Sequence, residues 1–110
     1  MATRATYQID SKIFYIHWDG YPQGAADYFA AMEKAKDVRD LPAAERFQMA
    51  NPQAEPTDSH ERHSDTQYRY TYVSDLPYIK CDEREIGGKI WKCLGYAPIH
   101  EFIAKTWMVI

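Results

Sequence analysis

Six consecutive residues, His17-Trp18-Asp19-Gly20-Tyr21-Pro22, place an imidazole, a carboxylate and a glycine just ahead of a proline suited to the first position of a helix. Such a strand-to-helix junction exposes backbone N–H groups and the positive end of a helix dipole, where an anionic ligand could sit. If Asp10-Ser11 makes a two-residue turn between strands, Arg4 lies opposite His17 and Thr6 opposite Tyr15. Arg4, Thr6, Tyr15 and His17 then line one amphipathic face leading to the junction, with Asp19 and Tyr21 at its corner. The plainer account is architectural. Asp19 accepts N–H bonds of the turn or caps the helix, Gly20 takes a positive φ, and Pro22 starts the helix. Both accounts stay open.

A second cluster, His60-Glu61-Arg62-His63-Ser64-Asp65, holds two histidines and two carboxylates within six residues and could join His17 and Asp19 around a metal. That would suit a metal-assisted hydrolase using His17, Asp19, His60 and His63. The spacing argues against a zincin, which needs histidines four apart on a helix with a Glu between them. A solvated polar loop explains the residues equally well, so no metal ligand is assigned. A third feature is the alternation of Tyr68, Tyr70 and Tyr72 against Gln67, Arg69 and Thr71. A tyrosine ladder stacks on a base or a partner, and a half-buried strand beneath helices looks the same. Nucleophile elbows, phosphate-cradling loops and dinucleotide fingerprints are absent. The sequence therefore leans away from an enzyme, with no catalytic residue and no cofactor assigned.

The elements that position these residues follow from periodicity. Ala2 to Ile9 and Lys12 to Trp18 read as a hairpin, with Phe14, Ile16 and Trp18 on one face of its second strand and Ile13, Tyr15 and His17 on the other. Ala25, Tyr28, Phe29, Met32 and Ala35 recur at helical spacing, which predicts a helix from Pro22 to near Val38. Asp40-Leu41-Pro42 offers a cap for a shorter helix through Phe47 and Met49, stopped by Asn51-Pro52. Asn51 to Asp65 reads as a long polar loop, functional or mobile. Thr66 to Val73 is a strand. Tyr78 to Glu85 and Lys89 to Leu94 form a hairpin around Gly87-Gly88, and Pro98 opens a last helix with Ile99, Phe102 and Ile103 inward. The expected fold is α+β, in the order ββααβββα: a mostly antiparallel sheet of about five strands with two to three helices on one face.

At 110 residues the chain has room for one core, so residues 1–110 are expected to form a single domain. A net charge of −3 provides no footprint for duplex nucleic acid, and direct nucleic-acid binding is not expected. No run of about 18 apolar residues occurs and the start lacks a signal-peptide core, so no membrane partner is expected and the expected location is the cytoplasm. Cys81 and Cys93 fit neither a disulfide scaffold nor a paired zinc site and are expected as free thiols, brought near each other by the Gly87-Gly88 hairpin. The apolar tail Trp107-Met108-Val109-Ile110 leaves a homodimer open.

Ala2-Thr3-Arg4 opening a strand, the His17 to Pro22 junction and the downstream Asp65-Thr66-Gln67-Tyr68-Arg69-Tyr70 strand together give the chain a likeness that spans most of its length. It resembles a family of small uncharacterised proteins of phages, prophages and other mobile elements. The resemblance implies a small accessory protein in the cytosol of a bacterial host, an inhibitor of a defence system in the manner of an anti-CRISPR, acting by binding a host effector. The alternative it leaves is a protein that binds or sequesters a nucleotide or other small anion. The candidate contact residues are Arg4, Tyr15, His17, Asp19, Tyr21, His60, His63, Tyr68 and Tyr70.

Overall fold

Alternating apolar residues build the first two strands, β1 (Arg4–Ile9) and β2 (Lys12–Ile16), and Asp10 takes the positive φ, 55°, that turns one into the other. The computed structural model describes residues 3–35, 41–60, 65–85 and 87–105. His63, Val38, the Asp40 cap and the tail 107–110 lie outside the described residues. The register pairs Ile9 with Lys12, Thr6 with Tyr15 and Ala5 with Ile16, as a two-residue turn requires. Trp18 departs from the alternation: β2 ends at Ile16, and Trp18 stands exposed beyond it.

Helix α1 (Pro22–Lys34) carries its proline in the first turn, and α2 (Ala43–Ala50) follows. Asn51 closes α2 by donating its side-chain amide to the carbonyls of Phe47 and Tyr28, which ties the helix end to α1. The segment expected as an unbroken loop contains a short strand, β3 (Glu55–Thr57), paired antiparallel with β2. Three residues, one of them Pro56, carry no alternation to read; the free edge of β2 supplies the partner that makes them a strand.

Next come β4 (Thr66–Val73), β5 (Leu76–Glu83), β6 (Lys92–Pro98) and α3 (Ile99–Ala104). The sheet has six strands rather than about five, in the order β3-β2-β1-β4-β5-β6. Every pair is antiparallel except β1 with β4, so the α+β, mostly antiparallel reading holds. The expected Gly87-Gly88 hairpin exists with a longer connection, residues 84–91, and a bulge between Cys81 and Asp82. Both cysteines are free, Cys81 buried and Cys93 exposed.

The core lies between the sheet and the helices. Ala5, Tyr7, Ile9, Phe14 and Ile16 meet Phe29, Met32 and Phe47 of the helices, with Tyr70, Ile79 and Phe102 completing it. Tyr7 stacks on Tyr70 at 5.1 Å between ring centroids, and Phe29 and Phe47 close around them at 5.9 and 5.3 Å from Tyr7. The tyrosine ladder of β4 therefore faces the helices: Tyr70 and Tyr72 are buried, and Tyr68 packs against the core margin. Among the described residues no helix is long and apolar enough to cross a membrane.

Candidate functional site

Residues of β1 and β2 that point away from the helices, Arg4, Thr6, Gln8 and Tyr15, lie on the other face of the sheet. On this face lie His60 and Asp65, the described ends of the crossing segment that joins β3 to β4, with His60 buried. His60 Nδ1 sits 2.6 Å from Thr6 Oγ1, and Nε2 sits 3.1 Å from Gln8 Oε1. The Gln8 amide nitrogen donates to the Asp10 carbonyl, so Oε1 is the end facing His60. An amide oxygen only accepts; Nε2 therefore carries the proton, and in the neutral ring Nδ1 accepts from the Thr6 hydroxyl.

Hydroxyl, imidazole and orienting amide have the connectivity of a nucleophile activated by an oriented base. Accessibility decides against that chemistry, because Thr6 is 0% exposed and its oxygen is closed to a carbonyl substrate. The arrangement ties the crossing segment to the sheet.

Beside it, Tyr15 donates its hydroxyl to both Asp65 oxygens, at 3.0 and 3.2 Å, and Arg4 Nε lies 2.9 Å from Asp65 Oδ2. That Nε–H is not aligned for a hydrogen bond, so the pairing is chiefly Coulombic. Burial, and then the bond to Asp65, push the Tyr15 hydroxyl up to about 12. His17 meets the Tyr15 ring edge-on at 4.7 Å and places Nε2 3.0 Å from Glu55 Oε2. Arg4, Tyr15 and His17 do converge as the strand register predicts, but each is already matched with a carboxylate of the crossing segment or of β3.

The His17 to Pro22 junction departs from its expected construction. Asp19, not Gly20, takes the positive φ, 52°, and α1 has Tyr21 at its cap position with no side-chain cap bond. Asp19 instead accepts from the Tyr21 hydroxyl at 3.4 Å. Gly20 is required by crowding: a Cβ there would lie 2.8 Å from Ala5 Cβ and 2.9 Å from the Arg4 carbonyl carbon. Its N–H donates to Thr3, and its carbonyl accepts from the Tyr70 hydroxyl at 2.6 Å. That bond and the stacked rings place Tyr70 inside the core rather than on a contact surface. Tyr68 stacks on Tyr70 at 6.3 Å, and burial, then a bond to Glu83, push its hydroxyl up to about 12. Asp19 and Tyr21 stay apart from the Thr6–His60 network, and among the described residues no three His, Cys, Asp or Glu side chains converge as metal ligands.

Two features of the same sheet face are absent from the sequence reading. The guanidiniums of Arg69 and Arg84 lie over the Trp91 ring, 4.6 and 4.5 Å from its centre, with Arg69 paired to the buried Asp82 at 2.8 Å. This stack fastens the 84–91 connection onto the sheet. Farther along, Val73, Leu76, Tyr78 and Tyr96 surround a shallow depression of about 480 Å³ bordered by Thr71 and Lys80. Leu76 is 66% and Tyr96 69% exposed. The alternation of Leu76, Tyr78 and Lys80 against Ile79 and Cys81 was a legible sign of it. The chain matches no family model, no curated protein and no solved structure.

Proposed function

We propose that this chain is a non-enzymatic binding protein, an accessory factor of phage type that inhibits a bacterial defence effector by occupying its surface. The observation that carries the reading is the cluster of Val73, Leu76, Tyr78 and Tyr96, contiguous, apolar and open on the sheet face. Contiguous exposed apolar side chains with a polar border characterise protein contact sites, and tyrosine supplies large contact area at low entropic cost. A net charge of −3 favours a basic partner, such as a nucleic-acid-binding effector, through steering of the encounter.

The small-anion alternative draws less support, because Arg4, Tyr15 and His17 face Asp65 and Glu55 and would have to give up those carboxylates. A metal-assisted hydrolase lacks a convergent ligand set among the described residues. The test is phage plating on a host that carries a defence system. The wild-type chain is expected to restore plating, and the Leu76→Ser/Tyr96→Ser double variant to lose that effect while keeping its melting temperature, since both side chains are exposed. Lack of protection by the wild-type chain, or full protection by the double variant, rejects the reading.

A further inference from the structure

Trp18 combines an exposed side chain with a backbone fastened from several sides. Its carbonyl accepts from the Tyr28 hydroxyl of α1 at 2.9 Å. One residue on, the Asp19 main chain seats so closely on Gly24 of α1 that no Cβ fits between them. Gly20 then donates to Thr3 ahead of β1 and accepts from Tyr70 of β4. The indole is nonetheless 59% exposed. Tryptophan is among the side chains that gain most from being covered, and a turn already ordered has little entropy left to lose when a partner covers it.

Trp91 shows what this chain sets against an indole. Two guanidiniums lie over its ring, with the Asp82 carboxylate holding one of them. Trp18 has carboxylates for company but no cation. Asp19 follows it in the chain and accepts from the Tyr21 hydroxyl, a neutral donor. Glu55 meets His17, whose ring lies 6.1 Å from that of Trp18. Among the described residues both cation–ring stacks fall on Trp91, while Arg4 is paired to Asp65 and Lys105 to Asp27. The corner thus joins an uncovered π face to negative charge.

From this complementarity we infer that the Trp18 corner is a docking site for an arginine side chain of another protein, the guanidinium stacked on the indole with Asp19 and Glu55 as its counter-charges. Arginine fits better than lysine, because a planar, weakly hydrated guanidinium stacks on an aromatic face and still presents N–H groups to a carboxylate. The corner lies beyond the end of β2, whereas the Leu76 and Tyr96 cluster sits on β5 and β6 across the sheet, so the two surfaces are separate. The inference is independent of the proposed inhibitor role, and its test needs neither phage nor effector. A single exposed stack is weak, so one arginine binds with a Kd in roughly the millimolar range.

The experiment titrates the nitrogen-15-labelled full chain with blocked peptides that differ only in a central arginine, lysine or citrulline, the last a neutral isostere of arginine. It follows the Trp18 indole N–H resonance, identified by its loss in Trp18→Phe, and the Asp19 amide. The arginine peptide is expected to shift both along a saturating curve that weakens with added salt. The lysine peptide should bind about threefold more weakly and the citrulline peptide not at all. Asp19→Asn keeps the left-handed backbone, which asparagine tolerates, and should weaken arginine binding about two- to fivefold with the rest of the spectrum unchanged. Trp18→Ala should abolish the saturable shift of the Asp19 amide. No saturable shift at tens of millimolar arginine peptide overturns the inference, as does undiminished binding by Trp18→Ala. Equal binding of the citrulline peptide, or of the lysine peptide, also overturns it and assigns the corner to an uncharged or a purely Coulombic contact.

Discussion

His60 shows how little a residue's type says about its use. Next to a second histidine and carboxylates it reads as a ligand, yet its ring is spent on Thr6 and Gln8 of the strand beneath. His60→Ala leaves the Thr6 hydroxyl, which is fully buried, without this partner and should cost about 1–3 kcal/mol, read as a lowered urea midpoint at unchanged slope. Tyr15 carries a pH signature of its own. Burial and the Asp65 carboxylate favour its neutral form, so its hydroxyl titrates near 12 in the folded chain against an ordinary value near 10. A pKa raised on folding contributes stability that is complete below about pH 10 and lost as pH climbs from 10 to 12. Tyr68, shifted similarly, acts in the same window. Tyr15→Phe should therefore show a smaller drop in unfolding free energy between pH 8 and pH 11 than the wild-type chain; an equal drop would mean that Tyr15 does not titrate differently on folding.

At the element scale, opposing effects meet at Gly24 in the first turn of α1. Helix propensity alone favours alanine there by about 1 kcal/mol. The chain, however, folds back so closely that a Cβ on Gly24 would stand 2.0 Å from the Asp19 carbonyl oxygen and 2.7 Å from Asp19 Cβ. Relieving that contact costs about 1–3 kcal/mol, as overpacking does, so Gly24→Ala is expected to lower the melting temperature; a raised one would show that the 19–21 turn is not seated on the helix. The same turn explains what could be read in advance. The β1–β2 register and the inward face of α1 were legible because their periodicities are local. The close approach of Gly20 to β1 was not, because it joins elements separated in sequence.

For the whole molecule, the consequential contrast is between its two sheet faces. One face is sealed by three helices; the other is covered in part by the crossing segment at His60 and the 84–91 connection at Trp91, leaving the Tyr96 cluster open.

By itself the sequence determined the α+β class, the first hairpin with its pairing of Thr6 and Tyr15, the inward residues of the helices and the Tyr68–Tyr70–Tyr72 alternation. All of these are periodic and local, and hydrophobic burial acts on them directly. It did not determine the parallel meeting of β1 and β4, nor β3, which exists because β2 offers an edge. Nor did it determine that Arg4, Tyr15 and His17 would meet carboxylates brought from 38 to 61 residues away. The ladder could have served a ligand or the core, and the single parallel pairing of β4 with β1 set Tyr70 against Tyr7 beneath the helices. Which side of a strand is covered is a property of its neighbours, and only the assembled sheet supplies them.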